Sequence, residues 1–490
     1  MSEMIKTKII VTLGPSCAEA GIIEAMIDSG VDVFRLNFSH GTLDEHDKLL
    51  EKVNVARSRR RQMTAVLGDL CGPKIRTGRI EPQGQMLRTG DKVSIVPGNQ
   101  VGTAHSFGTN YEYFNQDVEV GHRIFIDDGQ ITLNVVGRDG ENLICEVVDG
   151  GPLYSRKGIN LPDTWIRKPS ITEFDWECTD WAVERNLDYL ALSFVRSADE
   201  IIQLKEYIRK RGAGIKVIAK IETPHALAHL EPIVNASDAV LVARGDLGVE
   251  MDLAEVPLIQ KRITKMCRDC GKPVVVATQM LQSMIQNPKA TRAEVSDVAN
   301  AIMDFTDAVM LSGETAVGKY PVKAVQTIER IAKVTEAFLD KQYIAVHQKI
   351  KTTGELDLAA AIARSVGQLV ENIDAKLVTV WSQSGSSARL LSKARIDVPI
   401  LAFSSDERSC RQMCLHYGVI PCCQPIPEDG NQFTQLVDRL IIENKWAQAG
   451  DRVILVAGQP LGAAGTTNSI HVHNINARGD KSPDVSSELR

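Results

Sequence analysis

The sequence lacks an apolar stretch long enough to cross a membrane, and its N-terminal residues lack the apolar core of a secretory signal peptide. It also lacks a basic surplus, since the formal net charge is −6, which argues against a nucleic-acid-binding protein. The one basic cluster, residues 57–61, follows a helical pattern and is interpreted as a solvated helix end. We therefore expect a cytoplasmic protein whose partners include neither a membrane nor a nucleic acid.

The ten cysteines are scattered and form no second CxxC pair that would suggest a zinc site. Cys267 and Cys270 form a single CxxC late in a helical pattern, with no histidine nearby, and we assign it neither a metal nor a redox role. In a chain of this size without an export signal, the cysteines are interpreted as reduced cytosolic thiols.

With 490 residues, the chain is too long for one core, and two to four domains are expected. Strand-like and helical segments alternate strictly at the start of the chain and again from residue 170, which is typical of a parallel sheet. Three strand–helix units before an interruption and five after it favour a (β/α)8 barrel, with a doubly wound open sheet as the alternative. We predict this barrel for residues 1–72 and 170–345.

The remaining segments predict two further units and a tail. Residues 73–169 contain short alternating runs separated by turn residues, which predicts a small antiparallel β domain inserted after the third barrel strand. After a polar connector that includes residues 349–354, residues 346–475 predict a second α/β unit, with strands at 377–381, 400–403 and 453–456. Residues 476–490 are expected to form a polar tail.

Charged and polar residues stand at the ends of the predicted barrel strands, where the chemistry of such barrels is found. The chain is most clearly organised around two apolar runs, residues 215–223 and 240–248, which end in paired charges. An apolar strand is expected to carry charge at its tip where that tip lines a polar site. The full set of candidate residues is Arg35, Asn37, Ser39, Asp69, Arg76, Lys220, Glu222, Arg244, Gly245, Asp246 and Thr278.

This set predicts the chemistry of phosphoryl transfer. Carboxylates without a histidine or cysteine ligand set suggest a hard divalent cation, Mg²⁺ with Mn²⁺ as the alternative. Arginine and lysine beside such an ion are the usual equipment for moving a phosphoryl group. Because a Walker A sequence and the glycine-containing loops of the kinase fold are both absent from the sequence, we expect a kinase built on a barrel.

Eight segments of the chain, in this order, together resemble the pyruvate kinase family: residues 12–15, 35–41, 72–78, 157–162, 220–222, 243–248, 277–281 and 311–316. The resemblance spans nearly the whole chain. It implies a barrel with a mobile β domain inserted after strand three, a C-terminal α/β regulatory domain and a homotetramer. It also implies that phosphoenolpyruvate and ADP are converted to pyruvate and ATP.

The resemblance implies a role for each site residue. Glu222 and Asp246 would carry Mg²⁺, Lys220 would stabilise the phosphoryl group and the developing enolate, and Arg35 would hold phosphoryl oxygens. The backbone at Gly245 and Asp246, with Thr278, would bind the substrate carboxylate, and Thr278 would lie near the route that protonates the enolate. The implied nucleotide-binding residues are Pro15, Asn37, His40, Arg76 and Lys157.

The sequence departs from many family members at two positions. Those members have a threonine and a glutamate where this chain has Leu70 and Lys74, and there the glutamate goes with a required K⁺. The K⁺ is held by residues matching Asn37, Ser39, Asp69 and the threonine. Because a lysine ammonium can supply a fixed positive charge, we hypothesise that K⁺ is not required here.

A second predicted site lies in the C-terminal unit, where Ser382, Ser384, Gly385, Ser386 and Ser387 stand between a strand and a helix. Hydroxyls and a glycine at a helix start can form a phosphate nest, although a plain helix cap is the alternative. The segment matches the effector loop of the family, and residues 462–468 resemble the loop that closes over the effector. We hypothesise a phosphorylated activator, either a sugar phosphate or a nucleoside monophosphate.

Two other functions remain open at this point. A barrel lyase or mutase acting on a phosphoenolpyruvate-like acid would share the Mg²⁺ site and the carboxylate cradle, but the inserted domain with Lys157 favours a nucleotide substrate. A non-catalytic sugar-phosphate sensor would be expected to lack some of the charged strand-tip residues, and all of them are present.

Overall fold

The computed structural model describes residues 4–98, 100–342, 355–458, 461–462 and 467–476. The first strands and helices are β1 (Lys8–Thr12), α1 (Ala20–Asp28), β2 (Val33–Asn37), α2 (Leu43–Arg60) and β3 (Ala65–Asp69), with a 3-10 turn at Pro15–Cys17. Helix α2 begins after Thr42, whose hydroxyl accepts a hydrogen bond from the Glu45 amide while the Glu45 carboxylate accepts one from the Thr42 amide. This capping box gives the helix a defined start.

The lid, which we define as residues 73–169, is a curled β half-barrel. Its elements are β4 (Ile75–Arg76), β5 (Gln85–Leu87), β6 (Lys92–Ile95), β7 (Ser106–Phe107), α3 (Phe114–Asp117), β8 (Arg123–Ile126), β9 (Ile131–Asp139), β10 (Asn142–Asp149), β11 (Gly151–Leu153) and β12 (Gly158–Asn160). Seven strands form one sheet in the order β4-β12-β8-β9-β10-β6-β7, and β5 pairs with β11. The pairs are antiparallel except β6 with β7, which the sequence did not predict. The lid has its own core around Phe107, Ile124 and Leu133.

The strand–helix alternation resumes after the lid. The elements are α4 (Glu173–Glu184), β13 (Tyr189–Leu192), α5 (Ala198–Lys210), β14 (Lys216–Ile221), α6 (Pro224–Ala228), α7 (Leu230–Ala236), β15 (Ala239–Ala243), α8 (Arg244–Glu250), α9 (Val256–Asp269), β16 (Val274–Ala277), α10 (Arg292–Met303), β17 (Ala308–Leu311), α11 (Gly313–Ala316) and α12 (Pro321–Gln342). A second 3-10 turn lies at Gln282–Ile285.

Eight parallel strands close into a barrel in the order β1-β17-β16-β15-β14-β13-β3-β2. The predicted barrel is therefore confirmed, and the open-sheet alternative is wrong. Neighbouring residues along each strand contribute to different cores, as expected from the period of two. Ile10 and Ile218 belong to one buried cluster, whereas Ile9 and Val217 belong to the larger cluster that includes the surrounding helices.

The C-terminal unit is a mixed α/β sheet. Its elements are α13 (Glu355–Ile373), β18 (Leu377–Trp381), α14 (Ser386–Lys393), β19 (Ile400–Ser404), α15 (Glu407–Met413), β20 (Val419–Cys423), α16 (Gly430–Glu443), β21 (Arg452–Gly458) and β22 (Thr467–Asn474). The strand order is β20-β19-β18-β21-β22, and only β22 is antiparallel to its neighbour among these described strands. The sequence predicted three of the five strands and missed β20 and β22.

Three parts of the sequence prediction fall outside the described residues: the connector 349–354, residues 463–466 of the predicted effector-closing loop, and residues 477–490 of the tail. Within the described part of the chain, no helix is both long and apolar enough to span a bilayer.

The C-terminal unit packs against the end of the barrel where the strands begin. Cys414 and Leu415 join the buried cluster that contains Ile10 and Ile218. The Tyr189 hydroxyl, at the first residue of β13, donates a hydrogen bond to the Gln412 carbonyl. The lid lies at the opposite end of the barrel, with a cavity between the lid and the barrel.

Candidate active site

A cavity of about 110 Å³ lies at the carboxyl ends of the barrel strands. Most of the sequence-predicted catalytic and metal residues line it, because the tips of parallel strands meet at one end of a closed barrel. The lining residues are Arg35, Asn37, Ser39, Asp69, Lys74, Ser193, Phe194, Lys220, Glu222, Leu241, Ala243, Asp246, Thr278, Met310 and Ser312.

Lys220 is held in the cavity by two carboxylates and a hydroxyl. Its ammonium lies 2.9 Å from a Glu222 oxygen and 3.3 Å from an Asp69 oxygen, and it donates a 2.7 Å hydrogen bond to Ser193. Burial lowers the pKa of Lys220, but attraction to the two carboxylates outweighs burial and raises that pKa above its ordinary value. Lys220 therefore presents a permanent positive charge to the cavity.

Asp69 joins this lysine to Arg35. The Arg35 Nε donates to Asp69 Oδ2 over 2.7 Å, and its Nη1 donates to the Thr12 hydroxyl over 3.0 Å. Burial raises the pKa of Asp69, but Lys220 and Arg35 bring it below the ordinary value. Asp69 is thus an ionised carboxylate that fixes the directions of both cations.

Glu222 and Asp246 both line the inner cavity, and Glu222 is paired with the Lys220 ammonium. Glu222 is 1% exposed, and one of its oxygens accepts a 2.7 Å hydrogen bond from the Phe194 amide. Burial raises the pKa of Glu222, and although Lys220 opposes this, Asp246 raises the pKa further. A divalent cation would relieve the repulsion between the two carboxylates.

The donor set fits Mg²⁺. The described residues include no group of three or more His, Cys, Asp and Glu side chains placed to hold a metal ion. Mg²⁺ is commonly held by one or two protein carboxylates, and water and substrate phosphates complete its shell. A pair of carboxylates facing a small polar cavity is the arrangement that this preference requires.

The Thr278 side chain contacts the start of α8. The Gly245 amide donates a 2.8 Å hydrogen bond to the Thr278 hydroxyl, which donates to the Ala277 carbonyl over 2.6 Å. Thr278 and Gln279 have φ values of +68° and +55°, in the left-handed region that non-glycine residues rarely adopt. Such strain is typical of residues whose position is set by function.

Arg244, a member of the predicted set, is not among the residues that line this cavity. Its guanidinium lies 2.6 Å from Asp297 of α10 and donates to the Thr278 carbonyl over 2.9 Å. The partners of the guanidinium are thus a carboxylate of α10 and the carbonyl of the residue that follows β16. The hydrogen bond from Arg244 to the Thr278 carbonyl stabilises the turn at Thr278.

A second cavity, of about 320 Å³, lies between the lid and the barrel. Arg76 and Lys157 line it, and it shares Lys74, Phe194 and Asp246 with the inner cavity. The Lys157 ammonium lies 2.9 Å from Asp127, and Arg76 donates to the Arg156 carbonyl over 2.9 Å. Two cations of the lid thus open onto the space above the inner cavity.

Pro15 and His40 line neither cavity, in contrast to the other implied nucleotide residues. Pro15 is exposed and opens the 3-10 turn after β1. Burial lowers the pKa of His40, and the nearby charges of Lys74, Arg35 and Arg76 lower it further. His40 therefore lies within the electrostatic reach of the site without facing either cavity.

Comparison with known proteins identifies the family. The model of the pyruvate kinase barrel domain matches residues 4–325, and that of the pyruvate kinase alpha/beta domain matches residues 360–473. The chain belongs to the pyruvate kinase family. It is an enzyme, a phosphotransferase with pyruvate kinase activity. The interpretations as a lyase, a mutase or a non-catalytic sensor are therefore set aside.

Named relatives cover almost the whole chain. A pyruvate kinase of Mycobacterium tuberculosis is 42% identical over 96% of this chain and 98% of its own, and one of Corynebacterium glutamicum is 39% identical over 96% and 97%. A crystal structure of a pyruvate kinase from Cryptosporidium parvum matches with a TM-score of 0.91 at 32% identity, covering 96% of each chain. Pyruvate kinases generally need Mg²⁺, which agrees with the two facing carboxylates.

The two positions that depart from many pyruvate kinases lie beside the inner cavity. The Lys74 ammonium donates a 3.1 Å hydrogen bond to the Ser39 hydroxyl. Leu70 is 1% exposed and offers no side-chain oxygen. Lys74 therefore brings a positive charge to Ser39, one of the residues that match K⁺ ligands in other members.

The predicted effector loop runs from the end of β18 into the first turn of α14. Gly385, with φ +78°, caps α14, and the Ser382 hydroxyl accepts a 3.2 Å hydrogen bond from the Ala388 amide. The Ser384 and Ser386 hydroxyls are 3.1 Å apart, and the Ser387 hydroxyl contacts that of Thr467. A Cβ placed on Gly385 would lie 3.8 Å from the ammonium of Lys216, the first residue of β14.

Sequence reasoning missed Ser193, Asn160 and Glu250. Ser193 follows β13 and contacts Lys220, and a polar residue at a strand tip is the signal that could have found it. Asn160 and Glu250 both line the outer cavity and are hydrogen-bonded to each other. Asn160 lies within the family-like segment 157–162 but was given no role, and no local pattern marks Glu250.

Proposed function

We propose that the inner cavity is where pyruvate kinase activity takes place, converting phosphoenolpyruvate and ADP to pyruvate and ATP. The observation that supports this most directly is that Lys220, Arg35, Glu222 and Asp246 line one cavity. Positioning and charge neutralisation supply most of the catalysis in phosphoryl transfer. Cations for the migrating group and carboxylates for its metal ion must therefore lie within one small volume.

Each side chain has a specific role in this proposal. Arg35 binds phosphoryl oxygens, and the Lys220 ammonium stabilises first the phosphoryl group and then the enolate oxygen as the bond between them breaks. Glu222 and Asp246 would hold Mg²⁺, which when bound neutralises phosphoryl charge. The backbone of Gly245 and Asp246, with the Thr278 hydroxyl, binds the substrate carboxylate. Thr278 also lies near the route by which a proton reaches the enolate carbon.

The outer cavity holds the nucleotide in this proposal. Arg76 and Lys157 bind its phosphates, because both are lid cations that line this cavity, together with Lys74 and Arg156. Pro15, Asn37 and His40 contact the rest of the nucleotide. Closing the lid over the barrel excludes water while the phosphoryl group passes between the substrates.

Lys74 makes the enzyme independent of K⁺ in this proposal. Its ammonium contacts Ser39, and Leu70 cannot serve as a ligand. Turnover of the wild type should therefore be the same in KCl and in tetramethylammonium chloride at equal ionic strength. The double variant Lys74→Glu/Leu70→Thr should acquire a K⁺ requirement, because it restores the carboxylate and the hydroxyl. Strong activation of the wild type by KCl alone would contradict the proposal.

We also propose that the loop from Ser382 to Ser387 binds the phosphate of a small-molecule activator. The clustered hydroxyls and the left-handed Gly385 support this, because they leave backbone amides directed at one point. Lys216 adds a positive charge from the barrel side. Lys216 and Lys220 lie near opposite ends of β14. An activator bound beside Lys216 would therefore contact the strand that carries the catalytic lysine.

We also propose that the protein is a cytoplasmic homotetramer. All ten cysteines are free thiols, as expected in a reducing compartment. Leu253, Leu258 and Val334 are 71%, 68% and 67% exposed, and such apolar surface is suited to contact with further copies. Sedimentation equilibrium measures the number of subunits directly.

A further inference from the structure

A hydrogen bond between Asn160 and Glu250 joins the lid to the barrel. The Asn160 Nδ2 donates to Glu250 Oε1 over 2.8 Å. Glu250 is 8% exposed, and in the described part of the chain Asn160 is its only side-chain hydrogen-bond partner. One other hydrogen bond between two side chains, Lys74 to Ser39, joins residues 73–169 to the barrel among the described residues. Elsewhere, Arg196 of the barrel donates hydrogen bonds to the Ile166 and Lys168 carbonyls of the lid and lies over the Trp165 ring, which packs edge-on against His225. The Asn160–Glu250 bond differs from these contacts in that it links β12 to α8.

On the lid, this contact is made by β12, the strand next to the two cations proposed to bind the nucleotide phosphates. Asn160 is the last residue of β12, and Lys157 immediately precedes that strand. Gly158 of β12 pairs with Arg76 of β4. A displacement of β12 would therefore move Lys157 and Arg76 together.

The barrel side of the contact is the helix that carries the metal carboxylate. Glu250 is the last residue of α8, and Asp246 lies one helical turn before it. Asp246 lines both cavities. Because α8 is a short helix, a displacement of its last residue also moves its first turn. A contact at Glu250 therefore constrains the position of Asp246.

We propose that Asn160 and Glu250 are a positioning pair that sets the distance between the lid cations Arg76 and Lys157 and the metal carboxylate Asp246. The inference rests on the proposed roles of Arg76 and Lys157 in binding nucleotide phosphates. Burying a carboxylate against a neutral amide gains little energy. The pair instead fixes the position of the lid on the barrel, because the amide donor meets the carboxylate acceptor in only one position of the lid.

Exchanging donor and acceptor tests the pair. Burial raises the pKa of Glu250 to about 7, so the assay is run well above that pH, where Asn160→Asp places two carboxylates together. The lid should then be held away and the KM for ADP should rise roughly tenfold, the change expected from losing one hydrogen bond to a charged group. The double variant Asn160→Asp/Glu250→Gln restores one donor and one acceptor in reversed order. It should return the KM for ADP most of the way to the wild-type value.

Three further measurements make the result specific. The dissociation constant of phosphoenolpyruvate, measured without nucleotide, should not change in any of these variants. Asn160→Ala removes the hydrogen bond without adding charge and should raise the KM for ADP even if Asn160→Asp fails to fold. Asn134→Asp adds a charge at an exposed position of β9 and serves as the matched control, with no change expected.

The outcomes separate this pair from the function on which it depends. An unchanged KM for ADP in Asn160→Asp and Asn160→Ala, or a double variant no better than Asn160→Asp, would overturn the positioning pair. If Arg76→Ala and Lys157→Ala also left the KM for ADP unchanged, the proposed nucleotide site would be wrong as well. If those two variants raised it and the exchange had no effect, only the positioning pair would fail.

Discussion

At the scale of single residues, Lys220 shows how the site holds a charge ready for a substrate. Asp69, Glu222 and Ser193 surround its ammonium, and its side chain is 12% exposed. The two carboxylates raise the pKa of Lys220 despite its burial, so the ammonium stays protonated in the cavity. The same carboxylates hold the ammonium at the cavity.

Replacing Lys220 with Met should abolish most catalysis but leave substrate binding. Met has a similar length and no charge, so the transition state loses a cationic contact worth about 3–4 kcal/mol, or roughly a thousandfold in kcat. Phosphoenolpyruvate should still bind, because Arg35 and the start of α8 remain. Single-turnover kinetics and equilibrium binding check the two statements separately. Turnover within about tenfold of the wild type would contradict the role of Lys220.

Most of the inner cavity could be predicted from the sequence, because a charged residue at the end of an apolar strand points to the mouth of a barrel. Arg244 shows where this reasoning fails. Strand position predicts the end of the barrel but not the direction of a long side chain, and Asp297 of a distant helix decides that direction. Asn160 and Glu250 were out of reach for a related reason, since they are 90 residues apart and meet only in the folded chain.

At the scale of elements, regular strands and helices were predicted well and two C-terminal strands were missed. Strand β20 contains Pro421 and is mostly half-buried, and the side chains of β22 are largely exposed and include two histidines. Neither has the apolar β-branched pattern of a buried strand. The proposed effector loop, in contrast, was recognisable because Ser382, Ser384 and Gly385 stand between a clear strand and a clear helix, and two further serines begin that helix.

Changing Gly385 to Ala should remove activation by sugar phosphates while leaving basal activity unchanged. Gly385 has φ +78°, and a Cβ there would lie 3.2 Å from the Met413 side chain, so an alanine strains the loop and displaces its amides. The matched control is Gly430→Ala at the start of α16, where a Cβ meets nothing within 4 Å. Phosphoenolpyruvate saturation curves with and without a panel of sugar phosphates measure the effect. Full activation of the Gly385 variant would place the activator elsewhere.

At the scale of the whole molecule, buried ion pairs attach the C-terminal unit to the barrel. Lys393 of α14 lies 2.8 Å from Asp307, which precedes β17, and both side chains are 0% exposed. Arg395 approaches the same carboxylate, and Arg411 of α15 pairs with Asp188 before β13. The sequence shows two units and a connector, but not these contacts, because each pair joins residues 86 or more positions apart.

Replacing Asp307 with Asn should destabilise this junction strongly, because Lys393 would keep a buried charge without a carboxylate. We expect the free energy of unfolding to fall by about 3–5 kcal/mol, measured by urea denaturation. The double variant Asp307→Asn/Lys393→Met should recover much of this loss, because it removes the uncompensated charge as well. Asp374→Asn, which breaks an exposed pair with Lys376, should change little and is the control. If the double variant were as unstable as Asp307→Asn alone, the cost would come from the lost hydrogen bond between Asp307 and the Val274 amide rather than from the buried lysine.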